Sequence, residues 1–207
     1  MQLSKVFAKI KELKQPVFQT RDIVALLDQS TTTASKSLAR LAIDKHLLRL
    51  NKGLWAMADC VEPFMLPSYL MAPFSCYISL QSALYHHGMI EQIPEIVYAV
   101  SCGRTKTFNT PIATVSVHHI PSALFFGYQE GGKNTFKIAT PEKALFDFLY
   151  LKPAKTRLFT KLPELTIPSN FNHKLFLQWL TKIKSPSRRV MMERLLGQTP
   201  NITGQAP

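Results

Sequence analysis

The chain has 207 residues, 46% of them apolar and 18% charged, with 25 Lys/Arg against 13 Asp/Glu and a net charge of +12. That apolar content suffices for one substantial core or two modest ones and excludes general intrinsic disorder. The cationic excess points first to a polyanionic partner, because clustered Lys and Arg gain free energy by displacing counterions from phosphates. The excess is uneven: residues 1–60 carry ten basic against five acidic side chains, residues 61–150 five against six, and residues 151–207 ten against two. Two basic ends flank a near-neutral middle.

Leu3, Val6, Phe7, Ile10 and Leu13 recur at three- and four-residue spacing, which predicts an amphipathic helix ended by Pro16. A short second helix follows, with Thr20 at the N-cap position and Ile23, Leu26 and Leu27 turned inward. Asp28-Gln29-Ser30 makes a tight connection to a third helix that runs to about Lys45. Its buried stripe is Ala34, Leu38, Leu41 and Ala42; the opposite face carries Thr32, Thr33, Lys36 and Arg40, flanked by Ser35 and Ser37. Small hydroxyls and two cations, with no acid before Asp44, suit a helix lying in a DNA major groove. Arg bonds guanine bidentately, and Thr or Ser reaches base edges or phosphates. The competing reading of Arg40 is an ion pair with Asp44 one turn on, which leaves Lys36 as the free cation.

Leu47–Leu50, Asn51-Lys52-Gly53 and Leu54–Met57 read as strand, turn and strand, with Lys52 at the tip. Three helices and a hairpin, in that order, predict a winged helix-turn-helix over residues 1–58. Arg21 and Lys52 are then candidate phosphate contacts, and Thr32, Thr33, Ser35, Lys36 and Arg40 the candidate DNA-reading face. The alternative is a small helical domain whose cations form a solvated surface.

Pro63 and Pro67 mark residues 59–70 as a linker to a second domain spanning 71–197. The stretch between Glu62 and Glu91 lacks charge, but Pro63, Pro67, Pro73 and several polar residues interrupt it, so it reads as buried soluble structure and not a membrane span. Ser79 is positioned to cap a helix that Gly88 ends. Three β-type runs follow, at 96–100, 112–120 and 135–139. Thr140-Pro141-Glu142 then starts a helix with Ala144, Leu145, Phe148 and Leu149 inward. The expected fold is α+β: a winged helix followed by a mixed α/β domain with a small sheet and a C-terminal helical tail.

His86-His87 and His118-His119 read as structural histidines, so no metal and no cofactor is expected. Glu91, Glu95, Glu130, Glu142 and Asp147 do not form a nuclease-type carboxylate cluster in the sequence; Glu142 is accounted for by helix capping. Phosphate-loop and nucleophile-elbow patterns are lacking, and the domain reads as binding, not catalytic. Pro153, Pro163 and Pro168 mark loops, and Asn172 caps a helix through Phe176, Trp179 and Leu180. After Pro186 comes a basic helix whose Arg188, Arg189 and Arg194 either form a secondary basic surface or flank a stripe packed on the core. Residues 198–207 are expected to be disordered. Three scattered cysteines and the early lysines Lys5, Lys9, Lys11 and Lys14 point to a reducing cytoplasm and no signal peptide.

Three strings carry a family resemblance: Leu48-Arg49-Leu50-Asn51-Lys52-Gly53-Leu54-Trp55, the run Tyr77-Ile78-Ser79-Leu80-Gln81-Ser82-Ala83-Leu84-Tyr85-His86-His87-Gly88, and Ile138-Ala139-Thr140-Pro141-Glu142-Lys143-Ala144-Leu145-Phe146-Asp147. In order and spacing the chain resembles the AbiEi antitoxins of type IV toxin–antitoxin systems, over about residues 5–150. The resemblance implies a winged helix that binds promoter inverted repeats in double-stranded DNA and represses its own operon. It implies a second domain that counteracts an AbiEii-like nucleotidyltransferase toxin without requiring a stable complex with it. The family's base-reading positions fall on the Thr32–Arg40 face and the Lys52 turn. Two other functions compete: a stand-alone winged-helix regulator with a ligand-sensing second domain, and a DNA-directed nuclease.

Overall fold

The computed structural model describes residues 2–131, 135–152 and 164–197. Among these the chain forms eight α-helices and nine strands in two sheets, an α+β architecture. The expected disordered segment 198–207 and the loop markers Pro153 and Pro163 lie outside the described residues.

Helix α1 (Leu3–Glu12) buries Val6 and Ile10, as its periodicity requires. Strand β1 (Val17–Gln19) follows directly after Pro16. Helix α2 (Thr20–Leu27) ends at Asp28, which takes the left-handed conformation with φ of 49°. Thr20 is the first residue of α2 and not its cap. The cap is Gln19, whose N–H donates to Asp22 Oδ2 at 2.6 Å. Helix α3 (Thr31–Ile43) is capped by Ser30, whose Oγ accepts from Thr33 N–H at 3.2 Å, and it buries Ala34, Leu38 and Leu41. Ala42, expected in that stripe, is half-buried. Strands β2 (Leu47–Asn51) and β3 (Leu54–Met57) form the expected hairpin, with Gly53 at φ 72° in the turn.

Strand β1 adds to this hairpin, giving an antiparallel sheet in the order β1-β3-β2. Alternation along the strands divides its side chains between two cores. Phe18, Trp55 and Met57 join the α1–α3 core, while Val17, Leu50 and Ala56 join the core of the following region. The Trp55 indole Nε1 donates to Thr20 Oγ1 at 2.9 Å, and Thr20 N–H donates to Gly53 O at 2.9 Å. Thr20 therefore ties the hairpin to the start of α2. Thr20→Val should leave the buried indole N–H without an acceptor and lower stability by about 1–3 kcal/mol. Urea denaturation checks this, with Thr20→Ser restoring most of the loss.

Residues 63–70, expected as a linker, are folded. A 3-10 turn (Pro63–Met65) leads into α4 (Leu66–Leu70), and Met65, Leu66, Pro67 and Leu70 are buried. The second sheet is mixed and has six strands: β4 (Cys76–Ile78), β5 (Val97–Ser101), β6 (Lys106–Asn109), β7 (Thr114–His119), β8 (Tyr128–Gly131) and β9 (Phe136–Ala139). The spatial order is β6-β7-β5-β4-β9-β8. β5–β7 and β4–β9 pair in parallel, and the remaining neighbours are antiparallel. The small three-run sheet expected from the sequence is thus twice as wide, because β4, β6 and β8 are too short and irregular to show a period of two.

Helix α5 (Leu80–His86) follows β4, and α6 (Pro141–Leu151) follows β9. β4 shows that both faces of the sheet are covered: Cys76 turns toward Ser68 of α4 and Tyr77 toward Asp147 of α6. Fully buried β5 agrees with this, as a strand covered on both faces reads as continuously apolar. Helices α7 (His173–Leu180) and α8 (Pro186–Gly197) pack on α6, burying Phe176, Trp179, Leu180, Met192 and Leu196. Asn172 caps α7 as expected, accepting from Leu175 N–H at 3.0 Å. No helix among the described residues is long and apolar enough to cross a membrane.

Candidate nucleic-acid interface

With Ala34, Leu38 and Leu41 packed inward, α3 turns Thr32, Thr33, Lys36 and Arg40 to solvent, while Ser35 and Ser37 are half-buried at its edges. Thr33 is also tied to the helix start, its Oγ1 lying 2.9 Å from Ser30 Oγ. Among the described residues no ion pair joins Arg40 to Asp44; Asp44 bonds Arg40 only through its backbone N–H, at 3.0 Å. Arg40 and Lys36 are both left exposed without an acidic partner. Lys52 is exposed at the hairpin tip. Arg21 is 79% exposed at the start of α2, with its Nε 3.9 Å from Asp22 Oδ1.

Two neighbours of this surface escape a reading by residue type. Ile43 is 79% exposed on the same side of α3 as Lys36, seven residues on, where an apolar residue would be assigned to the core. Arg49, on β2, sits over the Trp55 ring at 5.7 Å. Its place on the exposed side of the strand follows from alternation with Leu48 and Leu50, but its aromatic seat does not.

The C-terminal arginines are placed differently from one another. Arg189 Nη2 donates to Thr181 O at 3.3 Å and to Ile183 O at 2.9 Å, closing the end of α7. Arg188 stacks on Tyr150 at 4.6 Å. Arg194 is exposed.

A second polar constellation lies in the core. Lys143 and Asp147, one turn apart on α6, form an ion pair with their side chains 0% and 1% exposed. Asp147 Oδ2 also accepts from Ser79 Oγ at 2.8 Å and from Tyr77 Oη at 3.0 Å. Ser79 occupies the N-cap position of α5 but makes no side-chain cap bond; its hydroxyl serves the carboxylate instead. Thr140, by contrast, does cap α6, accepting from Lys143 N–H at 3.4 Å. The Lys143 ammonium faces the rings of Phe126 at 4.7 Å and Phe146 at 4.8 Å. Burial pulls the Lys143 amine down and the Asp147 carboxyl up, each opposed by the attraction of the other. The Tyr77 hydroxyl is pushed up by burial and by the Asp147 charge. Ser79, Lys143 and Asp147 are 0% exposed, and the cluster clamps β4 to α6.

The two strings of the sequence resemblance that lie in this domain meet here. Tyr77 and Ser79 come from one, Lys143 and Asp147 from the other, and His87 Nε2 lies 2.7 Å from Ala139 O, joining them a second time. Glu142 lies in the first turn of α6 as expected and has a further role. Its Oε1 accepts from Asn172 N–H at 2.8 Å, linking α6 to the start of α7.

The histidine pairs are held separately. His118 is buried beside Ser116, with Nε2 and Oγ 3.1 Å apart, while His119 faces out with Nδ1 3.0 Å from Gly103 O. No group of three or more His, Cys, Asp or Glu among the described residues could hold a metal ion. Burial lowers the pKa of His118. Below the ordinary histidine value of about 6.5 the unfolded chain binds the proton more readily, so the stability contributed by neutral His118 is present at pH 7 and is lost as the pH falls. Thermal melts at pH 7.5 and 5.5 should show a lower Tm in acid, with the difference reduced in His118→Asn.

Neither a protein-family model nor any curated protein sequence matches the chain.

Proposed function

We propose that this protein is a DNA-binding antitoxin of the AbiEi kind. In this reading residues 1–58 are a winged helix-turn-helix that binds inverted repeats in its own promoter and represses the operon. The following domain counteracts a nucleotidyltransferase toxin encoded beside it. The observation that carries the DNA-binding part is the outer face of α3: Thr32, Lys36 and Arg40 are exposed and, among the described residues, have no acidic partner. Support also comes from the three-residue connection between α2 and α3 and from a hairpin tip that presents Lys52. An α-helix with such a face fits the major groove, where Arg and Lys read guanine and hydroxyls reach base edges or phosphates. Arg21 and Lys52 then engage phosphates, which position the protein without reading sequence. The antitoxin part rests on the resemblance of the strings around Ser79 and Thr140, whose residues share one buried network.

A phosphate contact has a distinctive signature. Lys52→Ala should weaken binding to all duplexes alike and reduce the slope of log K against log salt by about one ion. Fluorescence anisotropy across a salt series reads this directly. An unchanged slope removes the hairpin tip from the interface.

A further inference from the structure

The excess of basic residues in the C-terminal segment has a structural focus away from the α3 face. A cavity of about 280 Å³ opens between the turn at Ser122–Leu124, the end of α6 and the connection from α7 to α8. Pro121, Leu124, Tyr150 and Ile183 form its apolar walls, and Lys182 and Lys184 stand on one side of it. Arg188 lies against the Tyr150 ring at 4.6 Å, and Lys182 Nζ sits 4.1 Å from the Phe126 centroid. Lys182 is close enough to Lys143 to depress it further, and Asp147, the one acid in that group, is already paired with Lys143. Among the described residues no carboxylate lies within ion-pairing distance of Lys182, Lys184 or Arg188.

Two lysines on one cavity lining, with Arg188 against the ring of its Tyr150 wall and no counter-charge among the described residues, make a positive field that an anion seated against the lysines relieves. The apolar walls add contact area for an uncharged organic moiety. The volume, just below the usual range of ligand sites, restricts the occupant to a small molecule. We infer that the cavity bounded by Tyr150, Lys182 and Lys184 binds a small phosphomonoester, its phosphate held by the two lysines and its organic part seated against Pro121, Leu124 and Ile183. Ammonium-to-phosphate hydrogen bonds are charge-assisted and stronger than neutral ones, so the lysines carry the affinity.

Isothermal titration of the full chain with ribose 5-phosphate and with AMP tests this, with ribose and adenosine as the phosphate-free counterparts. The phosphorylated compounds should bind saturably and the others should not. Lys182→Ala/Lys184→Ala should weaken binding by about tenfold or more, consistent with loss of charge-assisted bonds. Lys5→Ala/Lys9→Ala, which removes the same charge from exposed positions of α1, should leave it unchanged. The inference is overturned if no phosphomonoester binds saturably, if ribose or adenosine binds as well as its phosphate ester, or if the two double variants behave alike. It is equally overturned if Lys182→Ala/Lys184→Ala loses affinity only for a random DNA duplex, which would make this face a nucleic-acid surface.

Discussion

Asp147→Ala should destabilise the protein by about 3–5 kcal/mol, a large part of the roughly 5–15 kcal/mol that holds a typical domain folded. The substitution leaves the Lys143 ammonium with aromatic rings but no carboxylate, in a site where its side chain is 0% exposed. It also removes the acceptor for Ser79 Oγ and Tyr77 Oη. A buried pair costs far more to break than to replace, because the penalty comes from the charge left behind. Lys143→Met combined with Asp147→Leu should therefore recover much of the loss, though not all, since two hydroxyls stay unpaired. Chemical denaturation of the single and double variants measures the difference. A loss below about 1 kcal/mol for Asp147→Ala would mean that the pair does not clamp β4 to α6.

The second large effect concerns DNA. Arg40→Ala should cost about 1–3 kcal/mol of specific binding and relax sequence preference at the base pair it reads. The absence of an Arg40–Asp44 ion pair matters here, because an arginine already paired would contribute less on meeting a base. Asp44→Ala should accordingly not weaken binding. Lys36→Ala on the same face should behave like Arg40→Ala at a neighbouring base pair, whereas Lys52→Ala should lower affinity without changing preference.

Much of the first sixty residues was legible in the sequence because three amphipathic helices and a hairpin each show a clear period. The exception, β1, has three residues, too few for alternation to register, and it forms only because β3 offers an edge with which Val17–Gln19 can pair. Thr20 and Ser79 were misleading for a shared reason. Thr20 stands one residue past the cap of α2 and Ser79 at the cap of α5, and each hydroxyl serves a buried partner instead, the Trp55 indole and the Asp147 carboxylate respectively. Thr140 has no such competitor and caps as expected. The Lys143–Asp147 pair had a usable signal: opposite charges at i and i+4 inside Ala144-Leu145-Phe146 and Phe148-Leu149-Tyr150, a stretch with no solvated face. The linker expectation for 59–70 rested on Pro63 and Pro67, but proline is compatible with the first turn of a helix, where both are found. The charge partition survives in altered form. The N-terminal cations are spread over α1, α2, α3 and the hairpin, with Lys36 and Arg40 on the outer face of α3 and Lys52 at the tip, whereas in the C-terminal segment Arg188 and Arg189 make internal contacts and Lys182 and Lys184 line a cavity.

DNase footprinting of the region upstream of the gene for this chain tests the central claim most directly. The native protein should protect a discrete pair of inverted repeats, and Arg40→Ala should lose that protection while retaining weak, salt-sensitive binding to any duplex. A native protein that protects no discrete site, or an Arg40→Ala footprint identical to the native one, would contradict the account.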